Sequence, residues 1–204
     1  MQALHVLSLT LLSILTANAQ TLRPGKCPQP PVQANFDATR YLGKWYEIKK
    51  LLPSSRRGEC TTATYSLESP GVVGVLNREL ADNTVSVITG YAKAKDPSEP
   101  AKLEVTFFED SPPGNYWVLS TDYEGHSVVY SCTDILGTFH ADFAWILSRE
   151  STLSEEKLEE LETSPMMQQR HKKHSLSPYM TILLPYALHI VSQVNRYLEM
   201  SVLL

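Results

Sequence analysis

Between Trp45 and Arg149 the chain divides into eight strand-like segments separated by short turns, with no long helix between them, and this pattern constrains the fold more than any other feature. The segments are 45–52, 60–67, 72–80, 84–95, 101–108, 115–121, 127–133 and 139–149. Turn-forming residues punctuate them at 68–71, 81–83, 110–114 and 123–125. Regular spacing of this kind argues for a meandering antiparallel barrel or a sandwich. Alternation within the segments gives each strand one apolar face. Leu103, Val105 and Phe107 oppose Lys102, Glu104 and Thr106, and Phe139, Ala141, Phe143, Trp145 and Leu147 oppose His140, Asp142 and Ser148. Alternation alone does not decide whether that face lines a cavity or meets a second sheet.

The flanking text organises the chain around this β region. At 204 residues, with 43% hydrophobic residues, one core suffices and no second domain is required. Residues 1–19 carry an apolar run over 6–15 followed by Ala17-Asn18-Ala19, a small-x-small cleavage pattern, and are expected to be a signal peptide, with the mature chain starting at Gln20. The run is too short to span a bilayer. Residues 26–31 (Lys-Cys-Pro-Gln-Pro-Pro) form a stiff arm whose prolines cannot join a central ladder. A short helical turn over 37–42 is expected, with Asp37 as its N-cap. After Arg149, a surface helix is expected over 154–162, with Leu158 and Leu161 as its apolar stripe and Thr152 with Glu155 as a capping box. The domain is therefore set at 20–164, and 165–204 is left as a tail of different character, basic over 170–174 and apolar from Leu176 onward.

A net charge of −4 offers no basic footprint for nucleic acid. No Gly-x-Ser-x-Gly elbow, Gly-rich phosphate loop or His-Glu-x-x-His pattern occurs, so hydrolase, phosphoryl-transfer and zinc-protease chemistry have no foothold. No cofactor is expected. His171 and His174 stand i, i+3 but lack a third ligand nearby, so no metal site is expected either. Three cysteines, Cys27, Cys60 and Cys132, cannot all pair within one chain.

Three separated elements carry a family resemblance: Gly43-Lys44-Trp45 opening the first strand, Thr121-Asp122-Tyr123 closing the sixth, and Trp145-Ile146-Leu147-Ser148-Arg149 ending the eighth. In this order they resemble the kernel lipocalins, over residues 26 to about 162. The physical content of Gly43, Trp45, Thr121, Asp122, Tyr123 and Arg149 is structural. Glycine allows a tight passage from helix to strand, and Arg149 stacked on Trp45 at the closed end would contribute about 0.5–2 kcal/mol. The resemblance implies an eight-stranded antiparallel up-and-down barrel with one flanking α-helix. It further implies secretion and transport of small lipophilic ligands, such as arachidonate and steroids.

The segments Lys26-Cys27-Pro28, Asn35-Phe36-Asp37, 41–48, 99–105, 130–133 and 142–147 place the chain near one group of lipid carriers in that family. That likeness implies a ligand lining of Tyr41, Tyr65, Asn77, Phe107 and Trp145, and a Cys27–Cys132 disulfide. Aromatic walls suit a lipid body, and Asn77 and the tyrosine hydroxyls suit a carboxylate or keto group. The chain departs from the family near Thr163. The tail lacks the family's C-terminal cysteine and final strand, which leaves Cys60 as a free thiol or a link to another protein. An enzymatic variant of the fold, a prostaglandin isomerase, uses a barrel thiolate. Cys60 is the one candidate here, with Arg56 and Arg57 close in sequence to lower its pKa, but it lies early in its strand with no adjoining base, and no enzyme is expected. The loop 108–114, apolar in the resembled carriers, here holds Glu109 and Asp110, which weakens the case for a lipoprotein partner.

Overall fold

The structure is a computed structural model and describes residues 22–51, 59–81, 83–164 and 167. The expected signal peptide, the tail beyond 167 with His171 and His174, the Arg56–Arg57 pair and the side chain of Cys60 lie outside the described residues.

Nine strands make one antiparallel sheet: β1 (Leu22–Pro24), β2 (Gly43–Leu51), β3 (Glu59–Ser69), β4 (Val72–Ala81), β5 (Thr84–Ala94), β6 (Lys102–Thr106), β7 (Gly114–Thr121), β8 (His126–Ile135) and β9 (Phe139–Ser148). Each of β2 to β9 pairs with its sequence neighbour, and β9 also pairs with β2, so these eight close a barrel. Among the described residues two helices accompany them, α1 (Ala38–Tyr41) before β2 and α2 (Glu155–Thr163) after β9. The barrel is therefore the correct choice over the sandwich.

The short strand β1 is an addition the sequence did not announce. It pairs with Phe139–Ala141 along the edge of β9 that β2 leaves uncovered, since β2 reaches only Ala144. Every residue of β9 is buried, and the arm that carries β1 accounts for its polar members near this edge. His140 and Asp142 look like an outward polar row by alternation, yet each is 4% exposed. Arg23 pairs with Asp142 at 3.2 Å, and the His140 ring nitrogen Nδ1 meets the Gly25 carbonyl at 2.9 Å. The arm is fixed further by the Cys27–Cys132 disulfide and by the Cys27 N–H donating to Asp134 at 2.8 Å.

Two apolar clusters result. The first fills the barrel, with Trp45, Tyr65, Val75, Leu103, Val105, Val129 and Trp145 among its members. The second lies outside β7–β9, where Trp117, Tyr130, Ala144 and Ile146 receive Leu161, Met167 and the flank of Leu158. Lys49 of β2 pairs with Glu162, tying α2 to the wall. The start of α2 differs from expectation. Its N-cap is Ser154, whose hydroxyl accepts from the Lys157 N–H at 3.3 Å, not Thr152 with Glu155. The helix begins at Glu155, so Glu155 and Glu156 occupy the first turn, where they favourably oppose the helix dipole. Asp37 caps α1 as expected, accepting from Thr39 and Arg40.

Candidate ligand-binding site

One end of the barrel is sealed. After α1 the chain turns into β2 through Gly43, whose φ of 98° favours glycine, and a Cβ there would stand 3.3 Å from the Arg149 guanidinium. That guanidinium lies 3.8 Å from the Trp45 ring centroid and donates to the carbonyls of Lys44 (2.8 Å), Leu42 (2.9 Å) and Tyr123 (3.0 Å). Trp45 is fully buried, stacks on Tyr41 and donates from Nε1 to the Tyr41 carbonyl at 2.9 Å. Thr121 Oγ1 donates to the His126 carbonyl and accepts from the Tyr123 N–H. The Tyr123 hydroxyl accepts from the Asp37 N–H. Asp122 gathers the Gly125 and His126 N–H groups at 2.8 Å each. Its partial burial acts to raise its pKa, but these bonds and the His126 ring outweigh that and bring it to about 2. All six residues of the family motif thus hold the closed end together.

Above this floor, three tyrosines form a hydroxyl chain inside the barrel. Tyr41 meets Tyr116 at 2.9 Å and Ser127 at 2.8 Å, and Tyr65 donates to Tyr116 at 2.8 Å. Burial raises all three phenol pKa values, that of Tyr41 to about 12, so they stay neutral. Tyr116 was not named from the sequence. Its place in the chain shows only once β7 is set inward between Leu103 and the tyrosines of α1 and β3.

Tyr65 and Tyr116 border two voids. The lower one is lined by Phe36, Tyr41, Val73, Leu103 and Val105, the upper by Glu47, Thr61, Ala63, Trp145 and Leu147. Each has a cavity volume of about 10 Å³, room for roughly one water. A lipid therefore fits only when side chains swing aside, and the tyrosine pair is the partition between the two spaces.

The five residues expected to line the site fall as follows. Tyr41 and Tyr65 have ring centroids 5.5 Å apart at the base, and Trp145 borders the upper void. Asn77 on β4 faces inward opposite Ala63 and is fully buried, yet neither end of its amide makes a hydrogen bond, and neither does Trp145 Nε1. Phe107, half-buried just past β6, lies against Gly90, where a Cβ would stand 2.7 Å from its ring. Asn77 and Phe107 face the interior but border neither void.

Two charged residues missing from the sequence reading also face inward. A bulge in β2 between Glu47 and Lys49 turns Ile48 and Lys49 outward together, and sets Lys50 opposite Trp145 with its ammonium 5.8 Å from the Trp145 ring centroid. Glu47 lines the upper void. Burial is the main cause that raises its carboxyl to a pKa of about 7, with Lys50 acting to lower it and Glu79 to raise it. Plain alternation would have put Lys49 inside instead.

The family model for the lipocalin-like domain matches residues 36–176. The chain belongs to the lipocalin family. Among its relatives, apolipoprotein D of Mus musculus is 51% identical over 144 residues, covering 70% of this chain and 76% of that protein. The Lazarillo protein of Schistocerca americana is 36% identical over 162 residues, covering 76% and 73%. Among solved structures, insecticyanin of the tobacco hornworm Manduca sexta superposes with a TM-score of 0.62 at 26% identity, covering 78% of this chain and 91% of that one. Lipocalin membership goes with the binding and transport of small hydrophobic ligands. Among the described residues, no helix is long and apolar enough to cross a membrane.

Proposed function

We propose that this lipocalin is a secreted extracellular carrier whose barrel binds one small lipophile, a fatty acid such as arachidonate or a steroid, against Tyr41, Tyr65, Asn77, Phe107 and Trp145. The domain responsible is 20–164, delivered by the signal peptide 1–19. A Cys27–Cys132 disulfide suits that oxidising route.

The observation that carries the reading is Asn77. A buried amide without a partner costs about 1–3 kcal/mol, and almost all buried polar groups in folded proteins are paired. Here the amide lies on the inner face of the barrel, as does the unbonded Trp145 Nε1. A ligand carbonyl or carboxylate entering from the mouth would meet both donors, its hydrocarbon body filling the space that Tyr65, Tyr116 and Phe107 vacate.

Titration with arachidonate and with progesterone is expected to quench tryptophan emission with saturation. Trp145→Ala is expected to remove most of the quenching, since Trp45 and Trp117 lie below and outside the cavity. Emission unaffected by either ligand or by a retinoid would remove the main support for a carrier.

A further inference from the structure

The barrel of a lipid carrier has no need of charge on its inner wall, yet among the described residues three charged side chains occur there. Ala63 pairs with Trp45 on one side and with Asn77 on the other. Two residues nearer the mouth, the same face presents Glu47 on β2, Thr61 on β3 and Glu79 on β4, and the β2 bulge adds Lys50 over Trp145. Glu47 and Thr61 both border the upper void. We propose that Glu47, in a row with Thr61, Glu79 and Lys50 above Trp145, makes the barrel choose ligands by headgroup charge, taking neutral heads freely and anionic heads only with a proton bound at Glu47. This rests on the carrier reading and specifies the headgroup chemistry of the same site.

The physical basis is like-charge repulsion in a poorly hydrated space. The groups facing Glu47 among the described residues are Lys50 from its own strand, Glu79 from β4, and the tyrosine hydroxyls of Tyr65 from β3 and Tyr116 from β7, which stay neutral. Leu147 and Trp145 from β9 carry no charge. With Glu47 ionised, the row holds two carboxylates against one ammonium and repels an incoming anion. With Glu47 protonated, the row is balanced, and the acid O–H can donate to the anion. The proton comes from solvent, and no bond other than that O–H forms. The Glu47 carboxyl titrates at about 7, so the choice falls within the physiological range. When binding requires the protonated form, affinity falls about tenfold between pH 6 and pH 8.

The test uses the full chain and two ligands of equal length kept below micellar concentration. Dodecyl sulfonate is an anion at every pH used, and dodecanol is neutral. Dissociation constants come from tryptophan emission at pH 6, 7 and 8. The ratio of the sulfonate constant to the alcohol constant is expected to rise about tenfold from pH 6 to pH 8. In Glu47→Gln the ratio should stay flat. In Glu79→Gln, which keeps the Glu47 acid but removes its like-charged neighbour, the midpoint of the rise should move to lower pH. Near-ultraviolet circular dichroism checks that each variant is folded, and either variant suffices if the other is not.

A wild-type ratio that does not change with pH, or a slope that survives Glu47→Gln, overturns the inference while leaving the carrier intact. If neither ligand binds at any pH, the carrier reading itself fails.

Discussion

Replacing Trp45 with alanine is expected to lower stability by about 4 kcal/mol, within the range found when a fully buried tryptophan is truncated. The indole is fully buried, stacked on Tyr41, covered by the Arg149 guanidinium at 3.8 Å and bonded through Nε1 to the Tyr41 carbonyl. Truncation leaves a cavity between α1 and the sheet that backbone hydrogen bonds from Arg149 on three sides prevent from collapsing. The loss also reaches the site. Tyr41 rests on Trp45 and begins the hydroxyl chain to Tyr116 and Tyr65, so the floor under the ligand loosens. Urea unfolding should show the midpoint moving with the slope unchanged. A shift worth less than about 2 kcal/mol would mean that the closed end repacks, contrary to the tight fit described.

Cys27→Ser is expected to have an effect of similar size by another route. The disulfide closes a loop between residues 105 apart. On the chain-entropy account, a loop of this length stabilises by about 4–5 kcal/mol. The arm that it fastens also covers the polar row of β9, through Arg23 on Asp142 and the Gly25 carbonyl on His140. Loss of the bridge frees the arm and opens those buried groups to water. Unfolding of the wild-type protein with and without a thiol reductant provides the control, because reduced wild type should match Cys27→Ser. A wild-type midpoint indifferent to reductant would show that the arm's polar contacts suffice without the bridge.

Features set by neighbouring residues were the legible ones. Strand segments emerged from alternation and turn residues, the α1 cap from Asp37, and the closed end from Gly43, Trp45 and Arg149, whose requirements are stereochemical. What escaped depended on register and on what covers a face. Glu47 and Lys50 share the inner wall only because a bulge lets two successive residues, Ile48 and Lys49, face out, and nothing in Glu-Ile-Lys-Lys marks that extra residue. His140 and Asp142 alternate as a solvent face would, but the Gly25 carbonyl and the Arg23 side chain of the N-terminal arm meet them, and a three-residue strand ending in proline carries almost no signal of its own. Thr152 and Ser154 are both good caps by residue type, and the helix start alone decides between them. The expected ligand lining of Tyr41, Tyr65, Asn77, Phe107 and Trp145 rested on the family resemblance and not on any pattern in the residues. Asn77 could be named, but its unpaired state depends on what surrounds it in the barrel.

The central claim is that the barrel interior holds one lipophile. Isothermal titration of the full chain with arachidonate, repeated after saturation with progesterone, tests it most directly. The account predicts one arachidonate per chain and no further heat once progesterone occupies the site, because both must displace the same Tyr65–Tyr116 partition. Several weak arachidonate sites, or full arachidonate binding in the presence of saturating progesterone, would contradict it.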